Sequence, residues 1–115
     1  MTFNFTEYQE LSKRTMPLYD NVVIHRDTMI NYALGVAGEA GEVADLIKKK
    51  QFHGHEVTAD EIKKELGDVL HYLSGIATLF DIDLEDVATA NIEKLRKRYP
   101  NGFSVEDSIA RKDVE

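Results

Sequence analysis

The chain has no cysteine and no tryptophan, and only two prolines among its 115 residues. Without cysteine there is no disulfide framework, no thiolate metal site and no cysteine nucleophile. No apolar run approaches the length that spans a bilayer. The opening stretch, Met1-Thr2-Phe3-Asn4-Phe5, lacks the basic start and apolar core of a signal peptide. A cytoplasmic protein with no membrane partner is expected. Positive charge is also scarce, with 14 Lys and Arg against 21 Asp and Glu and a net charge of −7. A nucleic-acid backbone needs a basic surface, so nucleic acid is not an expected partner. Small anions stay open, because a metal ion and a few local cations reverse the field inside a cleft. No G-x-x-x-x-G-K-[ST] loop is present, which removes P-loop chemistry.

Period-2 alternation is missing as well, and strands are not expected. At 43% hydrophobic and 30% charged residues, the composition suits a folded core rather than disorder. The length suits a single domain over residues 1–115. So small a domain buries a limited share of its surface, and oligomerisation would help it.

The two prolines, Pro17 and Pro100, stand where helical patterns stop. A first helix is expected from the cap Thr6 to Pro17, followed by a connection over Leu18 to His25. A second runs from near Asp27 to Phe52 and ends at His53-Gly54-His55. A third starts at Thr58, whose T-x-x-E with Glu61 is a capping box, and runs to Phe80. A fourth is capped near Asp83 and stops at Pro100, and the tail restarts at Ser104. Long amphipathic helices with short connections imply an all-α, four-helix-bundle-type fold.

The second helix carries an apolar seam of Met29, Ala33, Val36, Ala40, Val43 and Ile47. Glu39 and Glu42 lie about 60–120° to one side of it. The third helix carries Ile62, Leu66, Val69, Leu73, Ile76 and Phe80, with Glu65 and Asp68 offset by the same amount in the same sense. Seams packed face to face in antiparallel would put all four acids in one cleft. Four such carboxylates repel unless a cation sits between them, and hard oxygen ligands suit Mg²⁺, or Mn²⁺ in its place. Either pair alone reads as a solvated face; the matched offsets carry the inference.

On the fourth helix a stripe that begins with Leu84 and Val87 continues as Asn91, Lys94 and Arg98. An amide and two cations in that row suit phosphate oxygens. Basic residues at a helix C-terminus also favour the macrodipole, which accounts for Arg98 and Lys97 better than for Asn91. Among Lys48, Lys49 and Lys50, the last lies nearest the Glu39 side and is the better phosphate ligand. Tyr72, one turn past Asp68, is placed to hydrogen-bond at the metal site or to edge the core. Gly35, Gly38 and Gly41 inside the second helix point to close approach by another backbone, subunit or ligand.

The run Gly38-Glu39-Ala40-Gly41-Glu42, the run Glu65-Leu66-Gly67-Asp68 and the segment from Asn91 through Lys94 and Arg98 to Tyr99-Pro100 together resemble the MazG-like nucleotide pyrophosphohydrolases. These group with all-α dUTPases and phosphoribosyl-ATP pyrophosphohydrolases. The resemblance covers nearly the whole chain, most strongly Asn31 to Phe103. It implies a bundle completed as a homodimer or homotetramer, with Mg²⁺ on Glu39, Glu42, Glu65 and Asp68. It also implies a nucleoside triphosphate substrate, with Tyr72, Asn91, Lys94 and Arg98 matching the family's site residues, and Lys50 joins them as a phosphate ligand from its place on the second helix. The implied reaction is attack of water on the α-phosphorus, releasing pyrophosphate, with Glu39 or Glu42 taking the proton. Many relatives carry a glutamate doublet where this chain has Gly38 before Glu39, which bears on the number of metals and on the identity of the base.

Two rivals compete with this reading. One is a non-catalytic nucleotide-binding or oligomerisation module on the same bundle. The other is a di-iron bundle, prompted by Asp68-x-x-His71; it requires paired E-x-x-H motifs, which Glu39 and Glu42 do not supply. His71 falls opposite the expected seam, as a surface or interface residue, and His53 with His55 reads as loop. Phe5, Tyr8, Tyr19 and Asn31 are candidate base or sugar contacts, though aromatics in a first helix are more often core.

Overall fold

The computed structural model describes residues 2–17 and 21–114, with the backbone alone for 21–25. Five α-helices form in order: α1 (Phe5–Ser12), α2 (Asn21–Phe52), α3 (Ala59–Leu79), α4 (Leu84–Arg98) and α5 (Val105–Ala110). No strand occurs among the described residues. The fold is all-α, as expected.

Local chemistry sets most of the boundaries. Thr58 and Glu61 form the capping box of α3, each side chain accepting the other's backbone N–H. The Asp83 carboxylate caps α4 by accepting from Glu85 N–H, and the Ser104 hydroxyl caps α5 by accepting from Asp107 N–H. Gly54, at φ +70°, ends α2 in the left-handed region, while His53 and His55 N–H both donate to Lys49 C=O. Three boundaries differ from the sequence reading, the first being the end of α1 at Ser12, where a 3₁₀ turn over Lys13–Thr15 follows instead of helix as far as Pro17. Asn4, not Thr6, caps α1, and the Thr6 hydroxyl instead donates to Asp83. The second helix starts at Asn21, inside the expected connection. Val22, Val23 and Ile24 are poor helix formers, but extension of an existing helix fixes only one residue per new bond.

Helices α2 and α3 run antiparallel along one contact line, and the expected apolar seams are not on it. Tyr32 lies against Gly75, and Tyr72 against Gly35. Thr28, Tyr32, Ser74, Gly75 and Ala77 are the buried residues there. The seam residues Leu66, Leu73, Phe80 and Ile47 remain exposed, as do Ile30 and Leu34 beside them. Other seam residues, Met29, Val36, Val43, Ile62, Val69 and Ile76, are half-buried, so the close contact runs to one side of the seams.

A Cβ at Gly75 would enter the Tyr32 ring, which is buried and cannot swing away. Gly75→Ala is therefore expected to destabilise the fold by about 1–3 kcal/mol, the usual cost of overpacking, despite its better helix propensity. Urea unfolding measures this, and a neutral or stabilising result would contradict the ring packing.

Helix α1 ties the C-terminal part of α3 to the start of α4. The Gln9 amide donates to Thr78 Oγ1 at 3.2 Å and Ile82 C=O at 2.8 Å, and its carbonyl accepts from Leu84 N–H at 2.8 Å. Ser12 Oγ meets His71 Nδ1 at 2.6 Å. His71 is thus a half-buried joint between α1 and α3, not a surface residue, because the true interior runs past Tyr32 and Tyr72.

Candidate metal centre and active site

Along α2, Glu39 follows Tyr32 and Gly35 at helical spacing; along α3, Glu65 and Asp68 precede Tyr72 and Gly75 in the same way. The antiparallel contact line therefore delivers these acids to one place. One carboxylate oxygen from each of Glu39, Glu65 and Asp68 lies within 4.8 Å of the other two. Glu39 and Glu65 are half-buried, and Asp68 is exposed. Glu42 is exposed and lies outside this group.

Glu65 Oε2 is buried without a hydrogen-bond partner. The Glu65 carboxyl is pushed above its ordinary value of 4.5, first by a shared hydrogen bond with Glu39, then by burial and by the charges of Glu39 and Asp68. A buried acceptor with no donor, held among two further acids, is a poor arrangement for protein alone. It fits a hard divalent cation, for which such oxygens are the natural ligands.

That geometry has a measurable linkage. Glu65 holds its proton more tightly folded than unfolded, so its share of stability is present at low pH. This share is lost as pH rises from 4.5 through the raised folded value. A metal ion displaces the proton and relieves the repulsion. The rise in Tm on adding Mg²⁺ is expected to be small near pH 4.5 and to grow as pH climbs above it. Thermal unfolding at stepped pH measures this; a shift that stays flat would remove Glu65 from the ligand set.

The cations fall into two groups. Lys48 and Lys49 both pair with Asp45, at 3.3 and 2.9 Å, and hold its carboxyl below the usual range, Lys49 foremost. Lys50 is exposed and in no ion pair among the described residues. On α4, Asn91 and Lys94 are exposed, and α4 packs on α1, α3 and α5 but does not approach α2 among the described residues. Arg98 is engaged by Asp113 of the C-terminal segment.

Tyr72 is half-buried, with its ring edge-on to Tyr32 at 5.2 Å, which fixes it one turn from Asp68. Phe5 and Tyr8 line an apolar pocket of about 250 Å³ with Phe3 and Leu70. Leu70 projects roughly 200° around α3 from Asp68, so this pocket lies away from the acidic group. Asn31 is exposed, Tyr19 lies outside the described residues, and the rings of His53 and His55 sit 6.5 Å apart in the α2–α3 connection. Gln9 and Ser12, which brace α3 and the start of α4, were not singled out in the sequence. A short polar side chain in an amphipathic helix carries no signal of its distant partner.

A sequence model of the MazG nucleotide pyrophosphohydrolase domain matches residues 27–103. The chain belongs to this family. The match takes in Glu39, Glu42, Glu65, Asp68, Asn91, Lys94 and Arg98, and stops short of Asp113. The Gene 37 protein of Mycobacterium phage L5 is 36% identical over 73 residues, covering 60% of this chain and 64% of that protein. No solved structure matches. A MazG domain is a pyrophosphohydrolase-type hydrolase, and its family works in general with divalent metal. The acidic group described above is consistent with that chemistry.

Proposed function

We propose that this MazG domain hydrolyses nucleoside triphosphates to monophosphate and pyrophosphate, with Mg²⁺ held by Glu39, Glu65 and Asp68. The observation that carries the reading is the convergence of these carboxylates around the partnerless Glu65 oxygen. Bound there, Mg²⁺ would neutralise triphosphate charge and lower the pKa of a bound water. The chain itself supplies a base and cations. Glu42 lies outside the acidic group, so it is the carboxylate left to accept the water's proton, with Glu39 drawn toward Glu65. Lys50, Asn91 and Lys94 present donors to the departing pyrophosphate, and Tyr72 a hydroxyl at the rim. We place the reaction in the cytoplasm, where its substrates are.

The active unit in this proposal is a symmetric dimer. The surface of one chain is 8658 Å², against about 6,400 Å² for a compact monomer of this mass. Its radius of gyration is 17.4 Å, where about 13 Å suits a compact domain of this length. The excess is apolar: Leu34 is 68% and Phe80 60% exposed, and a groove between α2 and α3 is lined wholly by Met29, Ile30, Ala33, Ile76, Leu79 and Phe80. In this proposal a second copy covering this face also brings its α4, with Asn91 and Lys94, to the acidic group, since within one chain α4 does not reach α2 among the described residues.

A panel of nucleoside triphosphates with Mg²⁺, read for pyrophosphate against orthophosphate, tests the reaction. Pyrophosphate release supports attack at the α-phosphorus. Orthophosphate alone would overturn it, and no turnover with retained nucleotide binding would favour a binding module.

A further inference from the structure

Arg98 shares its helical stripe with Asn91 and Lys94, yet its surroundings differ from theirs. Arg98 Nε donates to Asp113 Oδ1 at 2.7 Å and a terminal N–H to Oδ2 at 2.8 Å, a two-point fork. The Asp113 side chain is 1% exposed and that of Arg98 19%, whereas the recorded ion pairs that do not involve Asp113 are open to solvent on both sides. Arg111 adds a second contact, its Nε lying 3.5 Å from the same Oδ1. Arg111 itself adopts φ +51° as the cap of α5. A non-glycine residue is strained there, and the turn it makes is what returns Asp113 to α4. The Arg98 guanidinium also lies 5.9 Å from the Tyr99 ring, and that ring meets Phe103 at 5.4 Å.

A guanidinium whose fork is filled by a buried carboxylate has little charge or geometry left for a phosphate. We propose that Arg98 is a positioning residue, a latch that holds segment 104–114 on α4 through Asp113, and that it does not bind substrate phosphate. Asn91 and Lys94 are then the α4 side chains that remain for the triphosphate, a consequence that rests on the function proposed above. The Arg98 charge holds the Asp113 carboxyl well below the usual carboxylate range. The latch is therefore present above that range and opens only in strong acid, which makes it a fixed structural tie.

Hydrogen exchange of the 105–110 amides in the full chain, without nucleotide, reads the latch directly. Asp113→Asn and Arg98→Gln are each expected to speed that exchange at least about tenfold, and the double variant no further, because both remove one interaction. Arg98→Lys, which keeps the charge but loses the fork, is expected to fall between. Unchanged exchange in Arg98→Gln would overturn the latch. In nucleotide hydrolysis, the two single variants are expected to change KM alike and by less than about threefold. A KM raised about tenfold or more by Arg98→Gln but not by Asp113→Asn would make Arg98 a phosphate ligand and overturn the proposal. If no nucleotide were turned over, the hydrolase reading would fall, while the exchange experiment would still decide the latch.

Discussion

Replacing Asp68 by alanine is expected to lower pyrophosphate release at least about a hundredfold, since even the outer partners of metal ligands cost 10–100-fold when removed. The same change is expected to raise the thermal stability of the metal-free chain. Asp68 adds a negative charge beside Glu39 and Glu65 and is one cause of the raised Glu65 carboxyl. Removing it relieves repulsion without opening a core cavity, because Asp68 is exposed. A site that gains stability as it loses activity is one whose like charges are kept for a ligand. Thermal unfolding with and without Mg²⁺ separates the outcomes. The wild-type chain should gain Tm with the ion, and Asp68→Ala should start higher and gain little. If the variant instead kept both its activity and its response to Mg²⁺, the acidic group would be a solvated face. A lower Tm without metal would mean that Asp68 serves the fold.

The parts of this protein legible in its sequence are those whose physics is local. The Thr58–Glu61 capping box, the Asp83 and Ser104 caps and the Gly54 stop each depend on groups within a few residues. The acidic pairs were legible because helical spacing converts sequence distance into direction. That direction brought Glu39, Glu65 and Asp68 together, although the antiparallel contact runs along Tyr32, Gly35, Tyr72 and Gly75 rather than the apolar seams. Periodicity reports that a face is apolar but not what covers it. Here Leu66, Leu73 and Phe80 face outward, and the larger rings pack on glycines. Glu42 sits three residues from Glu39, yet it is exposed and is not among the three carboxylates that meet. Arg98 shows the same limit: its stripe was visible, but Asp113, fifteen residues on, takes its fork. Long-range ties such as Gln9 to Leu84 and Ser12 to His71 leave no pattern at all.

The proposed dimer, prompted by α4 not reaching α2 within one chain among the described residues, leads to the second large effect. In the proposed dimer, Asp68→Ala would disable the carboxylate group of its own chain, and Lys94→Ala the cation that its chain would lend to its partner. Each variant alone is expected to be nearly inactive. In a mixed dimer, one site inherits both lesions, and the other receives intact acids from one chain and an intact Lys94 from the other. Random exchange makes half the dimers mixed with one working site each, so co-refolded variants should recover about a quarter of wild-type activity. Lys94 is suited to this test because it is exposed, and its truncation leaves the packing of α4 on α1 and α5 alone. Size-exclusion with light scattering establishes that the mixture is dimeric, so recovery cannot come from free subunits. Activity no higher than the sum of the separate variants would place Lys94 at the acids of its own chain. The apolar groove between α2 and α3 would then need another explanation, because the dimer would bury it without completing the site.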